Sequence, residues 1–212
     1  MTPVLYDYWR SSASYRVRIA LNLAEIEYDT TSVDLLKGEH LENAHLSRNP
    51  QGFVPALDID GQTLTQSLAI IEYLNETRPV TFLPDAALER SRVRTLSYII
   101  AMEIHPICNS SVAADIMART GGDEAVRVDW MKTYIRKGLA AFEKRLGDGQ
   151  GGTFCHGDAP TMADICLVPQ LYNAERWGAD IADLSRIKEI AENCARLEAF
   201  AAAHPDRVNA AG

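Results

Sequence analysis

The chain has 212 residues, 47% hydrophobic and 24% charged, an ordinary globular composition with enough length for one large core or two small ones. Its 21 basic and 29 acidic side chains leave a net charge of −8, the wrong sign for a partner that is nucleic acid or an anionic membrane. The first eight residues lack the basic start and apolar run of a leader, and no later stretch approaches the roughly 20 apolar residues of a membrane span, so a cytoplasmic protein with a small-molecule partner is expected.

Pro3 to Tyr8 is a β-favouring run; after the polar break Arg10 to Ser14 the period becomes helical, with Tyr15, Ile19 and Leu23 on one face. Tyr28 to Leu35 reads as a second strand and Glu39 to Leu46 as a polar, helix-compatible stretch. Val54 to Ile59 and Gln62 to Leu64 flank Asp60-Gly61, a dipeptide suited to the positive φ angles of a tight hairpin. Ser67 then stands as a helix cap before Leu68 to Leu74. The first 77 residues thus spell βαβαββα.

Arg78 to Pro84, with two prolines, reads as a linker between domains at 1–80 and 86–212. Beyond it the pattern is helical over Leu88 to Ala118 and again over Val126 to Leu146, where Met131, Ile135, Leu139, Phe142 and Leu146 form a stripe. Thr161 and Asp164 have capping-box spacing ahead of Ile165 to Val168. Weaker helices follow over 183–204, and the tail 205–212 reads as frayed. Cys108, Cys155, Cys166 and Cys194 are widely spaced, with no CxxC pair and no histidines at zinc spacing, so buried free thiols and no metal are expected.

Chemistry concentrates at Arg10-Ser11-Ser12-Ala13-Ser14, followed by Tyr15, Arg16 and Arg18. Three hydroxyls converge on a helix N-terminus, where free N–H groups and the positive end of the macrodipole favour an anion. The plainer alternative is capping by Ser14 with idle neighbours.

The hydroxyl at the end of the first strand, Phe53-Val54-Pro55 before the third, and Gln66-Ser67 opening the last helix together resemble the glutathione transferase superfamily. Its zeta class is resembled most, through RSSASYRVRIAL at 10–21, Asn49-Pro50, QSLAIIEYL at 66–74, Gly157-Asp158, TMAD at 161–164, Leu167 to Gln170, and Asn173 to Arg176. Ala13 stands where that class usually has cysteine. The resemblance implies a fold of α/β plus all-α type: an N-terminal thioredoxin-like βαβαββα domain followed by a C-terminal helical bundle, in a homodimer.

It implies glutathione as cofactor. Ser11, with Ser12 as alternative, would hydrogen-bond the sulfur; Ala13, Ser14, Tyr15 and Arg16 would lie around it. Gln66 and Ser67 would hold the γ-glutamyl end, Val54 before a cis Pro55 would pair with the cysteinyl backbone, and His40 and Gln51 would meet the glycyl end. On the acceptor side it implies Arg10 and Arg176 for carboxylates, with His105, Asn109 and Ser111 nearby. The expected activity is cis–trans isomerisation of maleylacetoacetate to fumarylacetoacetate in tyrosine and phenylalanine breakdown. Maleylpyruvate isomerisation, transfer to α-halo acids, or a non-catalytic binding module are the alternatives. Maleylpyruvate isomerases carry an arginine near the position of Ser111, and its absence favours the larger keto acid.

Overall fold

In the computed structural model, which describes residues 1–122 and 124–210, four short strands form one mixed sheet in the order β2-β1-β3-β4. β1 (Val4–Asp7) runs parallel to β2 (Asp29–Ser32), joined through the crossover helix α1 (Ser12–Leu23), and antiparallel to β3 (Ala56–Ile59). β3 turns through Asp60 (φ 52) and Gly61 (φ 76) into β4 (Gln62–Thr65). Both φ angles are positive, as the expected hairpin requires. β2 is shorter than the 28–35 run, and all four of its residues are exposed.

One row of the register organises everything that follows. Tyr6 on β1 pairs with Ala56 on β3, which pairs with Thr65 on β4. The segments just beyond that row, Tyr8 to Ser12, Val54-Pro55 and Gln66-Ser67, therefore leave the sheet at the same end. Between β2 and β3 the chain makes a 3₁₀ turn (Glu39–Leu41) and a four-residue helix, α2 (Asn43–Leu46).

The chain forms two compact units: Met1–Phe82 together with the chain from Ala195 onward, and Leu83–Cys194. The first centres on Leu5, Val17, Ile19, Ala20, Leu21, Leu57, Ile70, Ile71 and Leu74, all fully buried, with α3 (Ser67–Thr77) packed beside α1. Sequence pattern grouped the last hundred-odd residues as one helical domain, but α9 (Glu198–Ala202) packs on α1, and the short α10 (Pro205–Ala210) is helical where fraying was expected; residues 211 and 212 of that tail lie outside the described residues. The reason is polar as well as apolar: Arg18 Nε donates to the Ala203 carbonyl at 3.0 Å and Asn22 Nδ2 to the Ala199 carbonyl at 3.0 Å.

The second unit contains α4 (Ala87–Tyr98), a π-helical segment (Ile99–Ile104), α5 (Ser110–Thr120), α6 (Glu124–Leu146), α7 (Met162–Trp177) and most of α8 (Ser185–Ala195). The helix expected over 88–118 is thus interrupted: His105 N–H reaches back five residues to Ile100, and Pro106 cannot extend the ladder. Gly138 on α6 makes room for this segment, since a Cβ there would sit 2.3 Å from Ile104 Cγ1. Gly138→Ala is expected to lower stability by about 1–3 kcal/mol through overpacking, more than the helix propensity gained, and a urea melt checks it.

α7 starts with the expected box. The fully buried Asp164 carboxylate accepts from the Thr161 N–H at 2.8 Å and hydroxyl at 2.9 Å, and from the Cys155 N–H at 2.8 Å. Among the described residues no helix is long and apolar enough to cross a membrane.

Candidate glutathione site

The polar break after β1 closes with Ser11 N–H on the Tyr8 carbonyl at 2.8 Å, and Ser11, not Ser14, becomes the N-cap of α1. Its Oγ accepts from the Ser14 N–H at 3.2 Å. An oxygen that accepts from a helix N-terminus is polarised, and its own hydrogen is left to donate. The Ala13 N–H, in the first turn, has no intrahelical acceptor because helix geometry gives none there. Ser11 is half-buried; Ser12 and Ala13 are buried, at 6% and 9% exposure. The place where the class usually has cysteine is thus a packed methyl.

Ser14 is fully buried, with its hydroxyl oxygen lacking a hydrogen-bond partner. Tyr15, 2% exposed, meets His204 edge-on at 6.1 Å and lies under the Arg18 guanidinium, so its ring serves the core. Arg16 is buried and donates through Nη1 to Ser67 Oγ at 3.3 Å, tying the start of α1 to the start of α3.

Gln66, rather than Ser67, occupies the cap position of α3, at φ 67 and ψ 109. A non-glycine residue held at such an angle is strained, and strain of this kind collects at ligand sites. Its Nε2 donates to Gln51 Oε1 at 2.8 Å, which ties Gln51 to the start of α3. His40 lies in the 3₁₀ turn, where its carbonyl would be 3.2 Å from a Cβ on Gly52. The Val54-Pro55 bond is cis, and Val54, 8% exposed, packs with Tyr8 and Val33.

Arg10 stacks over Trp9 at 5.1 Å with Nη2 3.4 Å from the Tyr8 hydroxyl, a pose that leaves a planar cation beside Ser11. In the second unit, Asn109 caps α5: its Oδ1 accepts from the Ser111 N–H and hydroxyl, both at 3.0 Å. His105 follows the π segment directly. Arg176 is exposed near the end of α7, its guanidinium 4.9 Å from the Trp177 ring, and Arg127 approaches the same ring at 5.0 Å.

Burial pushes the Cys108 thiol up to about 11 and also raises the thiols of Cys155 and Cys194, so these three side chains stay protonated at neutral pH. The hydroxyl at the α1 N-terminus, the Val54 backbone and the Gln66-Ser67 pair lie at one end of one sheet.

Residues 1–76 match the family model of the glutathione S-transferase N-terminal domain, and 85–203 that of its C-terminal domain. The chain belongs to the glutathione S-transferase family. This transferase is 60% identical over 205 residues to the maleylacetoacetate isomerase of Rhizobium meliloti strain 1021, covering 96% of both chains. Among solved structures it superposes with TM-score 0.93 on a holo maleylpyruvate isomerase described as a zeta-class bacterial glutathione transferase, 42% identical, covering 96% of this chain and 97% of that one. A second, the maleylacetoacetate isomerase of Methylobacterium extorquens AM1 with bound malonate and glutathione, gives TM-score 0.92 at 40% identity, with the same coverage.

Sequence reasoning passed over His45 and saw Asn49 only as part of a motif. Each is 3% exposed and donates to the carbonyl of Phe53, the residue before Val54.

Proposed function

We propose that this transferase is a glutathione-dependent cis–trans isomerase of a maleyl keto acid, with maleylacetoacetate as substrate and fumarylacetoacetate as product. The observation that carries the chemistry is the Ser11 hydroxyl, which accepts from the helix and keeps its hydrogen for the ligand. The substrate assignment is supported by the 60% identity to a maleylacetoacetate isomerase across nearly the whole chain. Bound at that end of the sheet, glutathione supplies a thiolate for reversible addition to the cis double bond, which lets the bond rotate before elimination restores it as trans.

The protein's part is to hold and to polarise. Ser11 donates to the sulfur, with Ser12 beside it, while the open N–H of Ala13 and the α1 macrodipole favour its anionic form. Val54 offers its backbone to the cysteinyl peptide as an added strand does. Gln66 and Ser67 take the γ-glutamyl end, where Ser67 presents a hydroxyl and a first-turn N–H. Arg10, held flat by Trp9, is the first unit's candidate carboxylate ligand; Arg176 is the candidate of the second, which also offers His105, Asn109 and Ser111 as polar groups.

The same reading makes the protein a cytoplasmic homodimer: four free cysteines suit a reducing compartment, and the exposed Leu88 and Met102 are apolar surface for a second copy to cover. A spectrophotometric assay is the test. Maleylacetone and maleylpyruvate should isomerise only when glutathione is added, with glutathione unconsumed. Turnover without glutathione, or steady loss of glutathione onto a halo acid with no isomerisation, would overturn it. Light scattering should give the mass of two chains.

A further inference from the structure

Val54 itself packs on Tyr8 and Val33, but the segment that leads to it has little apolar material to hold it. α2 is a single turn, too short to persist by itself. Gly52 has φ 65, and the Phe53 side chain is 44% exposed. What fixes the segment is polar. His45 Nε2 lies 2.9 Å from the Phe53 carbonyl oxygen and Asn49 Nδ2 lies 2.8 Å from it, so two buried donors share one acceptor and occupy both of its lone pairs. Because the carbonyl can only accept, the hydrogen of His45 sits on Nε2.

The Phe53 carbonyl and the Val54 N–H belong to one planar peptide, and fixing the first orients the second. Asn49 extends the hold, since its Oδ1 accepts from the Gln51 N–H at 3.2 Å and Gln51 in turn holds Gln66. His45 Nδ1, however, is buried with no hydrogen-bond partner. An unsatisfied buried nitrogen costs stability, so histidine is a poor choice for folding alone. We infer that His45 is a positioning residue for glutathione: its Nε2–H, with Asn49, locks the Phe53–Val54 peptide in the orientation that receives the cysteinyl backbone. This rests on the glutathione reading above.

His45→Leu separates the two roles, because it deletes the clamp and the orphaned nitrogen together. A positioning role predicts a KM for glutathione raised about ten-fold, the scale of one net hydrogen bond, with kcat at saturating glutathione and KM for the maleyl substrate within about two-fold and the melting temperature little changed. His45→Gln, which restores an N–H donor, should recover most of the affinity. An unchanged KM in His45→Leu, or an equal rise in both variants, overturns the inference. If His45→Leu does not fold, His45→Gln decides: a near-native KM supports the clamp and a ten-fold rise overturns it. Calorimetry with S-hexylglutathione on the unsubstituted protein keeps the two readings apart. No binding there would sink both, whereas normal binding with an unaffected His45→Leu sinks only this one.

Discussion

Ser11→Ala is expected to lower isomerase kcat/KM about 10- to 100-fold at neutral pH, the loss of one charge-assisted hydrogen bond of about 1.5–3 kcal/mol. The deficit should shrink as pH rises past the ordinary thiol pKa of about 8.5, because hydroxide then supplies the thiolate that Ser11 is proposed to stabilise. The residue does two jobs, since its Oγ also caps α1, so the same variant should lose about 1 kcal/mol of stability. Ser11→Asp uncouples them: the carboxylate still accepts from the Ser14 N–H, but it has no hydrogen to give and repels the sulfur anion. It should fold as well as the unsubstituted protein and turn over more slowly than Ser11→Ala. A pH–rate profile for the two variants, with denaturant melts alongside, checks the whole set. Parallel profiles, with equal loss at pH 7 and pH 10, would remove thiolate stabilisation from the mechanism.

Much of the fold could be read from local chemistry. Asp60-Gly61 announced its turn because few other dipeptides accept two positive φ angles, and the Thr161–Asp164 box because both of its hydrogen bonds lie within four residues. The grouping of Ser11, Val54 and Gln66 came from the family resemblance, and the strand order that puts those segments at one end of the sheet accounts for it. What escaped depends on contacts distant in sequence or on geometry that periodicity does not encode. The pattern over 88–118 stays apolar at helical spacing straight through the π segment, and the space that admits it is set by Gly138, more than thirty residues later. Ser67 looked like a cap, but the positive φ that ends β4 falls one residue earlier, on Gln66. His45 gave no signal because its partner is a backbone carbonyl, which every residue has. The return of the tail to the first unit rests on Arg18 and Asn22 donating to carbonyls 185 and 177 residues away.

Arg18→Met is expected to be the most destabilising single change outside the candidate glutathione site, by about 3–5 kcal/mol of a total near 5–15. Arg18 is 1% exposed and holds three parts of the first unit at once. Its Nη1 donates to both oxygens of Asp7 at 2.8 and 2.7 Å, Nη2 to the Trp9 carbonyl at 2.9 Å, and Nε to the Ala203 carbonyl at 3.0 Å. The cost therefore comes chiefly from what is left behind: a carboxylate 2% exposed with no countercharge, and two carbonyls without donors. A chain of this size should lose roughly 2–4 °C of melting temperature per kcal/mol. Arg18→Lys keeps the charge but cannot reach three acceptors in one plane, and should fall between. The sign of the argument is exposed by the double variant. If the unpaired Asp7 carboxylate is the main penalty, Asp7→Asn added to Arg18→Met should recover part of the loss, whereas strictly additive losses would place the penalty in the severed links to Trp9 and Ala203 instead. Since Trp9 is the platform for Arg10 and adjoins the Ser11 cap, the Arg18 variants should also lose activity below their melting temperatures, and addition of S-hexylglutathione should raise those temperatures by stabilising the folded form. Arg18→Met within 1 kcal/mol of the unsubstituted protein would show that the buried pair contributes nothing to holding the β1–α1 junction.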